Sequence, residues 1–397
     1  MPSFTLTDAE HDVWVETFGV HAHDFGPMAA GTAPWSVTKR ALRGGRRDGV
    51  DLIEVNNGAF SFSVVPTRGM GLWKGNFRGL PVGWGSPVKD GPVNPAFVNL
   101  MNWGGLGWLE GFDELLARCG LENNGAPYTE GRATFGLHGK IANTPAHHVA
   151  VHVADGPDRT IIIEGRVDES KLFSTQARMV TTVTTAPGSN RLTVRDEFQN
   201  LGDLPQEMQV LYHWNFGPPF LGEGARFVAP AKTIVPRNAR AVEGLGHCDV
   251  YGPPEPGFAE QVYFYELLGP PAAGLAGSLE GRTLVMLRDR AGEKAVVLRF
   301  EPSQLPAFSL WKNTGGLKSG YVTGLEPGTN YPNPKPFEKE RGRVVKLDPG
   351  GSYVAETTLE VLATREAVAA AEAEIAVIQK RATPVIHKGP VEPFAAP

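Results

Sequence analysis

Cysteines and long apolar runs are scarce in this sequence of 397 residues. The two cysteines, Cys119 and Cys248, are too few for a disulfide framework or a four-cysteine zinc site, which favours a reducing compartment. No apolar run is long enough to span a membrane, and the N-terminus shows no basic segment followed by an apolar one. From these absences we expect a cytoplasmic protein with no signal peptide and no membrane partner.

A surplus of one charge is also missing. The 38 Lys and Arg residues stand against 43 Asp and Glu residues, and neither sign forms a long block. Nucleic acids and anionic membrane surfaces are bound by clustered positive charge, so we expect neither as the main partner.

Turn residues and strand patterns are plentiful. The 48 Gly and 33 Pro residues are spread between segments that alternate apolar and polar side chains, as in 59–65 and 190–200. Many such strands with few helices predict an all-β fold, a large antiparallel β-sandwich or barrel. We expect residues 1–362 to form this single domain, with an irregular extension at 1–45 that includes a helix-like start at 7–16.

Two segments depart from the strand pattern. Residues 80–135 are rich in Gly, Pro, Asn and Trp, with one short helix predicted at 112–118, and long ordered loops in compact domains are usually functional. Helical spacing of apolar residues predicts a C-terminal helix over 363–381, followed by a tail at 382–397. The spaced residues are Val368, Ala371, Ile375 and Ile378. The sequence leaves open whether this helix docks on its own domain or on a second subunit of a homodimer.

Four segments place an ionisable or amide side chain beside Gly or Pro where a strand ends. They are 67–69, 136–140, 212–215 and 324–330. A sheet brings such ends together across one face, and loops on rigid scaffolds commonly carry binding and catalytic groups. The sequence therefore predicts a functional site where these segments meet.

A histidine and a glutamate are the main catalytic candidates. His213 follows the strand predicted at 207–212 and precedes Asn215, so it is either a catalytic acid or a core His satisfied by a backbone carbonyl. Glu326 lies directly before Pro327. Partial desolvation would raise the pKa of its carboxyl and suit it to act as a general base, whereas the alternative is a surface Glu in a turn.

Further candidates would hold a ligand rather than react with it. His138 lies between two glycines, and Asn123 lies in a polar loop at 119–125, although either segment could be an ordinary turn. Trp311 and Lys312 place an aromatic wall beside a cation. Aromatic faces with amide and charged neighbours suit a sugar.

Several other kinds of site are disfavoured. Alternation places His148 and His152 on one strand face, but no Cys or acidic partner lies at ligand spacing, so we expect no metal. The glycines of 104–107 lack the strand and helix that flank a dinucleotide or phosphate loop. No Gly-x-Ser-x-Gly motif of a serine hydrolase occurs.

The order of these motifs resembles the galactose-mutarotase-like superfamily, and within it a bacterial branch of aldose 1-epimerase-like proteins. The resemblance covers about residues 45–362. It rests on five segments: Pro66-Thr-Arg-Gly-Met, Cys119-Gly-Leu-Glu-Asn-Asn-Gly, Gly136-Leu-His-Gly-Lys-Ile-Ala-Asn-Thr-Pro, Leu211-Tyr-His-Trp-Asn-Phe-Gly and Gly324-Leu-Glu-Pro-Gly-Thr-Asn.

The resemblance implies a β-supersandwich with a sugar cleft across one sheet, and an isomerase that needs neither metal nor cofactor. Glu326 matches the base that takes the proton of the anomeric hydroxyl, and His213 matches the acid that protonates the ring oxygen. His138 matches an earlier His that helps to hold the sugar, and Arg68 lies where the resemblance suggests a substrate-binding Arg. The remaining expected contacts to the sugar or sugar acid are Asn215, Lys312, Trp311 and Asn123.

The chain departs from the family pattern in two respects. No acidic residue clearly matches the sugar-binding one that usually lies between the second His and the Glu, and the loop at 80–125 is unlike that of a typical galactose mutarotase. Two alternatives therefore stay open. The first is another sugar isomerase, an epimerase at another carbon or a lyase on the same fold, and the second is a non-catalytic carbohydrate-binding module.

Overall fold

The computed structural model describes residues 1–26, 33–155, 159–269 and 282–396. Residues 27–32 of the predicted extension and Pro397 of the predicted tail lie outside these ranges. In chain order the strands of the first half are β1 (Ser3–Asp8), β2 (Val13–Trp14), β3 (Phe18–His21), β4 (Ser36–Ala41), β5 (Asp51–Asn56), β6 (Phe60–Val65), β7 (Gly71–Phe77), β8 (Leu80–Val82), β9 (Leu116–Leu121), β10 (Tyr128–Glu130), β11 (Ala133–Phe135), β12 (His148–Val153), β13 (Ile161–Ser170), β14 (Gln176–Thr185) and β15 (Arg191–Asn200).

The second half of the chain continues this pattern and adds most of the helices. Its strands are β16 (Gln206–Phe216), β17 (Arg226–Val228), β18 (Ala231–Pro236), β19 (Gln261–Leu267), β20 (Thr283–Arg288), β21 (Ala295–Phe300), β22 (Ala307–Thr314), β23 (Tyr321–Gly328), β24 (Val345–Leu347), β25 (Ser352–Leu362) and β26 (Val385–Ile386). The α-helices of the described ranges are α1 (Asn102–Gly105), α2 (Ala239–Glu243), α3 (Lys335–Glu340) and α4 (Arg365–Gln379). None of the described helices has the length and apolar character needed to cross a bilayer.

Most strands belong to two large sheets. One has ten strands in the order β17-β20-β21-β25-β15-β14-β13-β12-β1-β2. The other runs β26-β18-β19-β22-β23-β16-β9-β7-β6-β5-β4-β3, with β24 beside β16 and β8 beside β7. Neighbouring strands along both sheets are antiparallel, apart from the short β26 on β18. The predicted all-β antiparallel fold is confirmed.

The main apolar core lies between the two sheets. Every second side chain of β13, β14 and β15 is buried, as expected for strands with one face turned to a core. Ile163 and Val194 of the ten-stranded sheet belong to the same buried cluster as Leu116 and Trp214 of the other sheet. The site described below lies on the opposite face of this second sheet.

A buried ion pair crosses the core. Arg118 of β9 donates to both carboxylate oxygens of Asp196 in β15, with N–O distances of 3.1 Å. Thr181 Oγ1 donates to the same carboxylate at 2.6 Å, and Arg118 also donates to the carbonyl of Met70. Neither charged side chain is exposed, so water cannot solvate either charge. Each charge is neutralised by the other, and the pair links the two sheets.

The N-terminal extension contributes strands to both sheets, although an irregular segment was predicted. Strand β1 pairs with β12, and β3 and β4 continue the other sheet beyond β5. The helix-like start predicted at 7–16 is wrong. Residues 7–16 instead contain the end of β1 and all of β2, joined by a tight turn. Thr7 and Asp8 pair with Trp14 and Val13, so the segment folds back on itself as an antiparallel hairpin.

The loop predicted to carry a helix at 112–118 contains a strand instead. A 3-10 turn at Gly107–Gly111 precedes it, and β9 begins at Leu116. All six residues of β9 are buried, because the strand lies inside the sheet between β16 and β7 and is covered on both faces. A strand covered on both faces loses the alternation by which strands are recognised in a sequence.

The predicted C-terminal helix is present as α4 and docks on its own chain. Thr364 caps its N-terminus by accepting from the backbone N–H of Ala367 at 3.2 Å. The predicted apolar face packs on the outer side of the ten-stranded sheet, against Leu284, Met286, Ala295 and Val297. Arg299 of β21 also holds the helix through both oxygens of Glu374, at 2.7 and 2.9 Å.

The segment that follows this helix also contacts the domain. Strand β26 pairs in parallel with β18, at the edge of the second sheet. Near its end, Phe394 and the buried Ala395 pack with Val262 and Tyr331. Residues 382–396 therefore cover part of the sheet, where the sequence predicted only a tail.

Candidate active site

His213 and Glu326 face each other across neighbouring strands. Trp214 of β16 is the register partner of Leu325 in the antiparallel β23, which places His213 opposite Glu326. His213 Nε2 lies 3.1 Å from Glu326 Oε1, with side chains that are 6% and 4% exposed. The two groups are close but not aligned as a hydrogen bond, and Oε1 has no hydrogen-bond partner among the described residues.

Small residues make room for this pair. Gly324 shares a strand face with Glu326, and a Cβ at Gly324 would lie only 2.3 Å from Glu326 Oε1 and 3.1 Å from the His213 ring. On its other side His213 has Ala117 of β9 as its register partner. The pair thus occupies a space that larger neighbours would fill.

Asn215 fixes the orientation and the tautomer of the His213 ring. The Asn215 amide nitrogen donates to the backbone carbonyls of Glu114, at 3.1 Å, and of His213, at 2.8 Å. Its Oδ1 must then point at His213 Nδ1, which lies 2.6 Å away. An amide oxygen can only accept, so Nδ1 carries the proton and Nε2, the nitrogen near Glu326, is left to exchange one. Asn215, predicted as a sugar contact, instead lies behind the histidine as a positioning residue.

This arrangement predicts a single tautomer for neutral His213. In 15N NMR of the unliganded protein, Nδ1 should show the shift of a protonated nitrogen and Nε2 that of a bare one. Asn215→Ala should give a mixture of tautomers and lower the free energy of unfolding by about 1–3 kcal/mol, because Nδ1 and two backbone carbonyls lose a buried partner. A variant that retains the wild-type nitrogen shifts would contradict this role.

Burial drives both members of the pair toward their neutral forms. It lowers the pKa of the His213 imidazole to about 3, and it raises the pKa of the Glu326 carboxyl well above its usual range. Near neutral pH the Glu326 carboxyl therefore carries a proton, and His213 Nε2 is free to accept one. One proton donor and one proton acceptor thus lie side by side, as acid–base catalysis requires.

His138, predicted to help hold a sugar, lies next to this pair. Its ring centroid is 5.5 Å from that of His213. His138 Nδ1 lies 2.8 Å from the carbonyl of Asn124, so Nδ1 donates and Nε2 is the acceptor. Burial lowers the pKa of the His138 imidazole to about 4, which keeps the ring neutral near pH 7. The backbone at His138 is left-handed, with φ of 60°, in the turn that brings the ring to the site.

These side chains line one cavity of about 360 Å³. Trp108, Phe112 and Trp311 form aromatic walls, and each has a ring centroid within 6.0 Å of the His213 ring. The remaining lining residues are Leu106, Leu109, Ala126, Pro127, Leu137, Arg237, Glu260, Val262 and Pro332. A cleft with apolar walls and a few converging polar groups is the usual form of a small-molecule site.

Two charged residues of this cavity, Arg237 and Glu260, were not predicted from the sequence. Arg237 and Glu260 form an ion pair with an N–O distance of 2.6 Å, and Trp311 Nε1 donates to the other Glu260 oxygen at 2.7 Å. Arg237 directly follows the proline at the end of β18, so it bears the strand-end signature of the other candidates. Glu260 precedes β19 with no Gly or Pro beside it, so that signature could not have found it. Glu260 also lies between His213 and Glu326 in the chain. This is the interval in which the sequence offers no clear match to the acidic sugar-binding residue of the family pattern.

The structure places Lys312 away from the cavity, in contrast to the prediction. Consecutive residues of a strand point to opposite faces, so Lys312 points away from the cavity that its neighbour Trp311 lines. Its ammonium group donates to the carbonyls of Cys248 and Val250 at 2.9 and 2.7 Å and lies over the Tyr251 ring. Lys312 ties the segment 247–251 to the sheet.

Arg68 and Asn123 do not line the cavity either. Arg68 is fully buried beneath the 80–125 loop, where it pairs with Glu114 at 2.6 Å and donates to the Gly111 carbonyl at 3.1 Å. Asn123 donates to the Gly136 carbonyl at 2.8 Å and so supports the turn that carries His138. Both residues hold the loops that form the site, and their strand-end positions alone could not distinguish this role from ligand contact.

The described residues contain no group of three or more His, Cys, Asp or Glu side chains placed to hold a metal ion. In particular, His148 and His152 lie on β12 in the other sheet, on the far side of the core from this cavity.

The fold is that of the galactose mutarotase-like proteins. A galactose mutarotase-like protein from Clostridium acetobutylicum aligns with 81% of this chain and 98% of its own, at 15% identity and a TM-score of 0.53. A galactose mutarotase-related enzyme from Lactobacillus acidophilus aligns with 79% of this chain and 98% of its own, at 14% identity and a TM-score of 0.52. At such identities the likeness shows the fold alone.

A family model and a more similar structure identify the family. The model described as Domain of unknown function (DUF4432) matches residues 47–361, and the chain belongs to this family. A Klebsiella pneumoniae protein described as a "putative aldose 1-epimerase" shares 37% identity, with a TM-score of 0.93 over 98% of this chain and 99% of its own. No curated protein matches the chain.

Proposed function

We propose that this protein is a carbohydrate-active isomerase of the aldose 1-epimerase type, which interconverts the anomers of a sugar. The observation that carries the proposal is the 3.1 Å approach of the buried His213 and Glu326 side chains in a cavity with aromatic walls. The description of the Klebsiella protein, at 37% identity, supports the same class of reaction.

The reaction needs one group that takes a proton and one that gives a proton. Glu326, as the carboxylate, takes the proton of the anomeric hydroxyl, while His213, protonated at Nε2, gives a proton to the ring oxygen. The C1–ring oxygen bond breaks, C1 becomes an aldehyde carbon, and rotation about C1–C2 exposes its other face. Closure reverses both transfers, so each group ends in its starting state.

The reactive state of the pair differs from its resting state by one proton transfer. Burial favours the neutral carboxyl and the neutral imidazole. Transfer of the Glu326 proton to His213 Nε2 gives the reactive carboxylate and imidazolium without uptake of a proton from solvent. The sugar hydroxyls that replace water in the cavity offset part of the electrostatic penalty of this charge separation.

The cavity walls suit a single sugar ring. A volume of about 360 Å³ is enough for one monosaccharide, and indole faces pack well against the C–H groups of a pyranose. His138 Nε2 and the Glu260 carboxylate can accept from sugar hydroxyls, and Arg237 can donate to a hydroxyl or to the carboxylate of a sugar acid. The substrate class is therefore an aldose or a uronic acid.

The second candidate is a sugar isomerase or an epimerase at another carbon, which would act through an enediol. The position of Arg237 supports this second candidate, because a guanidinium in the cavity wall could stabilise an enediolate oxygen.

Solvent deuterium separates the two reactions. In D₂O an anomer interconversion exchanges only hydroxyl protons, so we expect the sugar recovered after many turnovers to carry no carbon-bound deuterium. An enediol route removes a C–H proton and would place deuterium on C1 or C2. Mass spectrometry of the recovered sugar, with a sample incubated without protein as the control, measures the difference. Deuterium on carbon at the rate of turnover would contradict the proposed reaction and support the alternative.

A further inference from the structure

A second, larger cavity lies beside the candidate active site. It has a volume of about 550 Å³ and is separate from the first, with no lining residue in common. Phe112 lines the first cavity and Asp113 lines the second, so consecutive residues of one segment face the two spaces. The lining residues of this second cavity, here called the cationic cleft, are Arg43, Gly44, Gly45, Arg47, Trp73, Lys74, Trp84, Gly85, Ser86, Val88, Lys89, Asp90, Gly91 and Asp113.

Positive charge dominates the cationic cleft. Arg43, Arg47, Lys74 and Lys89 line it, against the two acidic residues Asp90 and Asp113. In the described part of the chain Arg43 pairs with Glu16 at 2.9 Å, and the other three cations have no ion-pair partner. Cations that converge on a concave surface without internal partners produce a positive potential that attracts anions.

Asp113 adds an unpartnered buried oxygen. Its residue is 4% exposed, and Oδ2 accepts from Trp73 Nε1 at 2.8 Å. Oδ1 has no hydrogen-bond partner among the described residues, although buried polar atoms nearly always have one. Burial, with the neighbouring Glu114 carboxylate, raises the pKa of the Asp113 carboxyl to about 7, so this group opposes a bound anion less than an ordinary Asp would. The Asp113 carboxyl is therefore a part of the cleft wall that repels an anion only weakly.

Two indole rings are held rigidly at this cleft. Trp73 is fixed by its bond to Asp113, and the Lys74 ammonium lies 4.4 Å from the centroid of its ring. Trp84 Nε1 donates to the carbonyl of Glu114 at 3.0 Å, and the Trp84 ring packs on Phe112 with centroids 5.0 Å apart. Fixed aromatic surface beside cations suits a ring compound that carries a negative group.

We propose that the cationic cleft is a second binding site, which takes a sugar bearing an anionic group. The phosphate or carboxylate of this ligand pairs with Arg47, Lys74 and Lys89, and its ring packs against the indole rings of Trp73 and Trp84. Binding here does not depend on the chemistry proposed for Glu326 and His213, because the two cavities share no lining residue.

Isothermal titration calorimetry at fixed ionic strength tests this site. The probes are glucose 6-phosphate, glucuronate, inorganic phosphate and neutral glucose, and comparing the first two shows which anionic group is preferred. We expect saturable binding of at least one anionic sugar, and weakening of at least about tenfold in the double variant Arg47→Ala/Lys74→Ala, because two charge-assisted bonds to the anion are lost. The matched control is Arg132→Ala/Lys346→Ala, which removes two exposed cations away from the cleft and should leave the affinity unchanged.

Three results would overturn the proposal. The first is no saturable binding of either anionic sugar. The second is an equal loss of affinity in the cleft variant and the control variant, which would indicate a nonspecific effect of net charge. The third is loss of binding in Trp311→Ala with none in the cleft variant, which would place the ligand in the first cavity. An inactive protein that still binds an anionic sugar at the cleft would refute the proposed function and leave this site standing.

Discussion

Replacement of Glu326 by Gln should lower kcat for anomer interconversion by about 10²- to 10⁴-fold, the usual contribution of a positioned acid or base. Gln keeps the shape of the side chain in its buried space but cannot take the anomeric proton. His213→Ala should cause a loss in the same range, because the ring oxygen then has no proton donor. Polarimetry of a freshly dissolved pure anomer, corrected for the uncatalysed rate, gives kcat for each variant.

Glu260→Gln is the matched control for this prediction. It removes a carboxylate from the same cavity but not from the reacting pair, and Glu260 binds in the ground state and the transition state alike. We expect KM to rise while kcat changes by less than about tenfold, which is the signature of lost uniform binding. A Glu326→Gln protein that folds, binds the sugar and keeps its kcat within a few-fold of wild type would refute the role of Glu326.

Removal of Asp196 should destabilise the fold more than any surface charge does. Asp196→Ala leaves Arg118 charged and without its carboxylate between the two sheets, and breaking a buried pair on one side costs about 3–5 kcal/mol. Denaturation by urea, followed by tryptophan fluorescence, would measure the fall in the free energy of unfolding. The double variant Arg118→Met/Asp196→Leu should recover most of it, because apolar residues of similar size need no compensating charge.

Asp168→Ala provides the comparison on the outer face of the same sheet. Asp168 accepts from Arg178 at 2.8 and 2.9 Å, but both side chains are more than a quarter exposed. Water can replace the lost partner there, so we expect a loss of about 1 kcal/mol or less. Equal losses in Asp168→Ala and Asp196→Ala would contradict the assignment of Arg118 and Asp196 as a structural link across the core.

The fold could be predicted from the sequence wherever each strand has one buried face. Alternation in 59–65 and 190–200 predicted strands where the structure has β6 and β15, and helical spacing predicted the apolar face of α4. The signal failed in β9, where both faces are covered and every residue is buried. It failed again near residue 7, because a short strand of six residues gives few alternating positions to count.

For the site, the sequence could indicate individual residues but not the contacts between residues that are distant in the chain. His213 and Glu326 could be proposed from their segments and from the family resemblance, but their 3.1 Å approach depends on the register of β16 and β23. Alternation along β22 is a local signal, and it could have separated Trp311 from Lys312 because consecutive strand residues point to opposite faces. The burial of Arg68 beneath the 80–125 loop could not have been predicted, because its partner Glu114 lies 46 residues further along the chain.

Saturation-transfer NMR between the two anomeric signals tests the central claim most directly. The measurement would cover a panel of aldoses and uronic acids, with wild type beside Glu326→Gln and His213→Ala. We predict that wild type transfers saturation between the anomers of at least one sugar faster than the uncatalysed rate, and that both variants lose this acceleration. A folded wild-type protein that accelerates none of them would contradict the account of Glu326 and His213 as the acid–base pair of an anomer-interconverting enzyme.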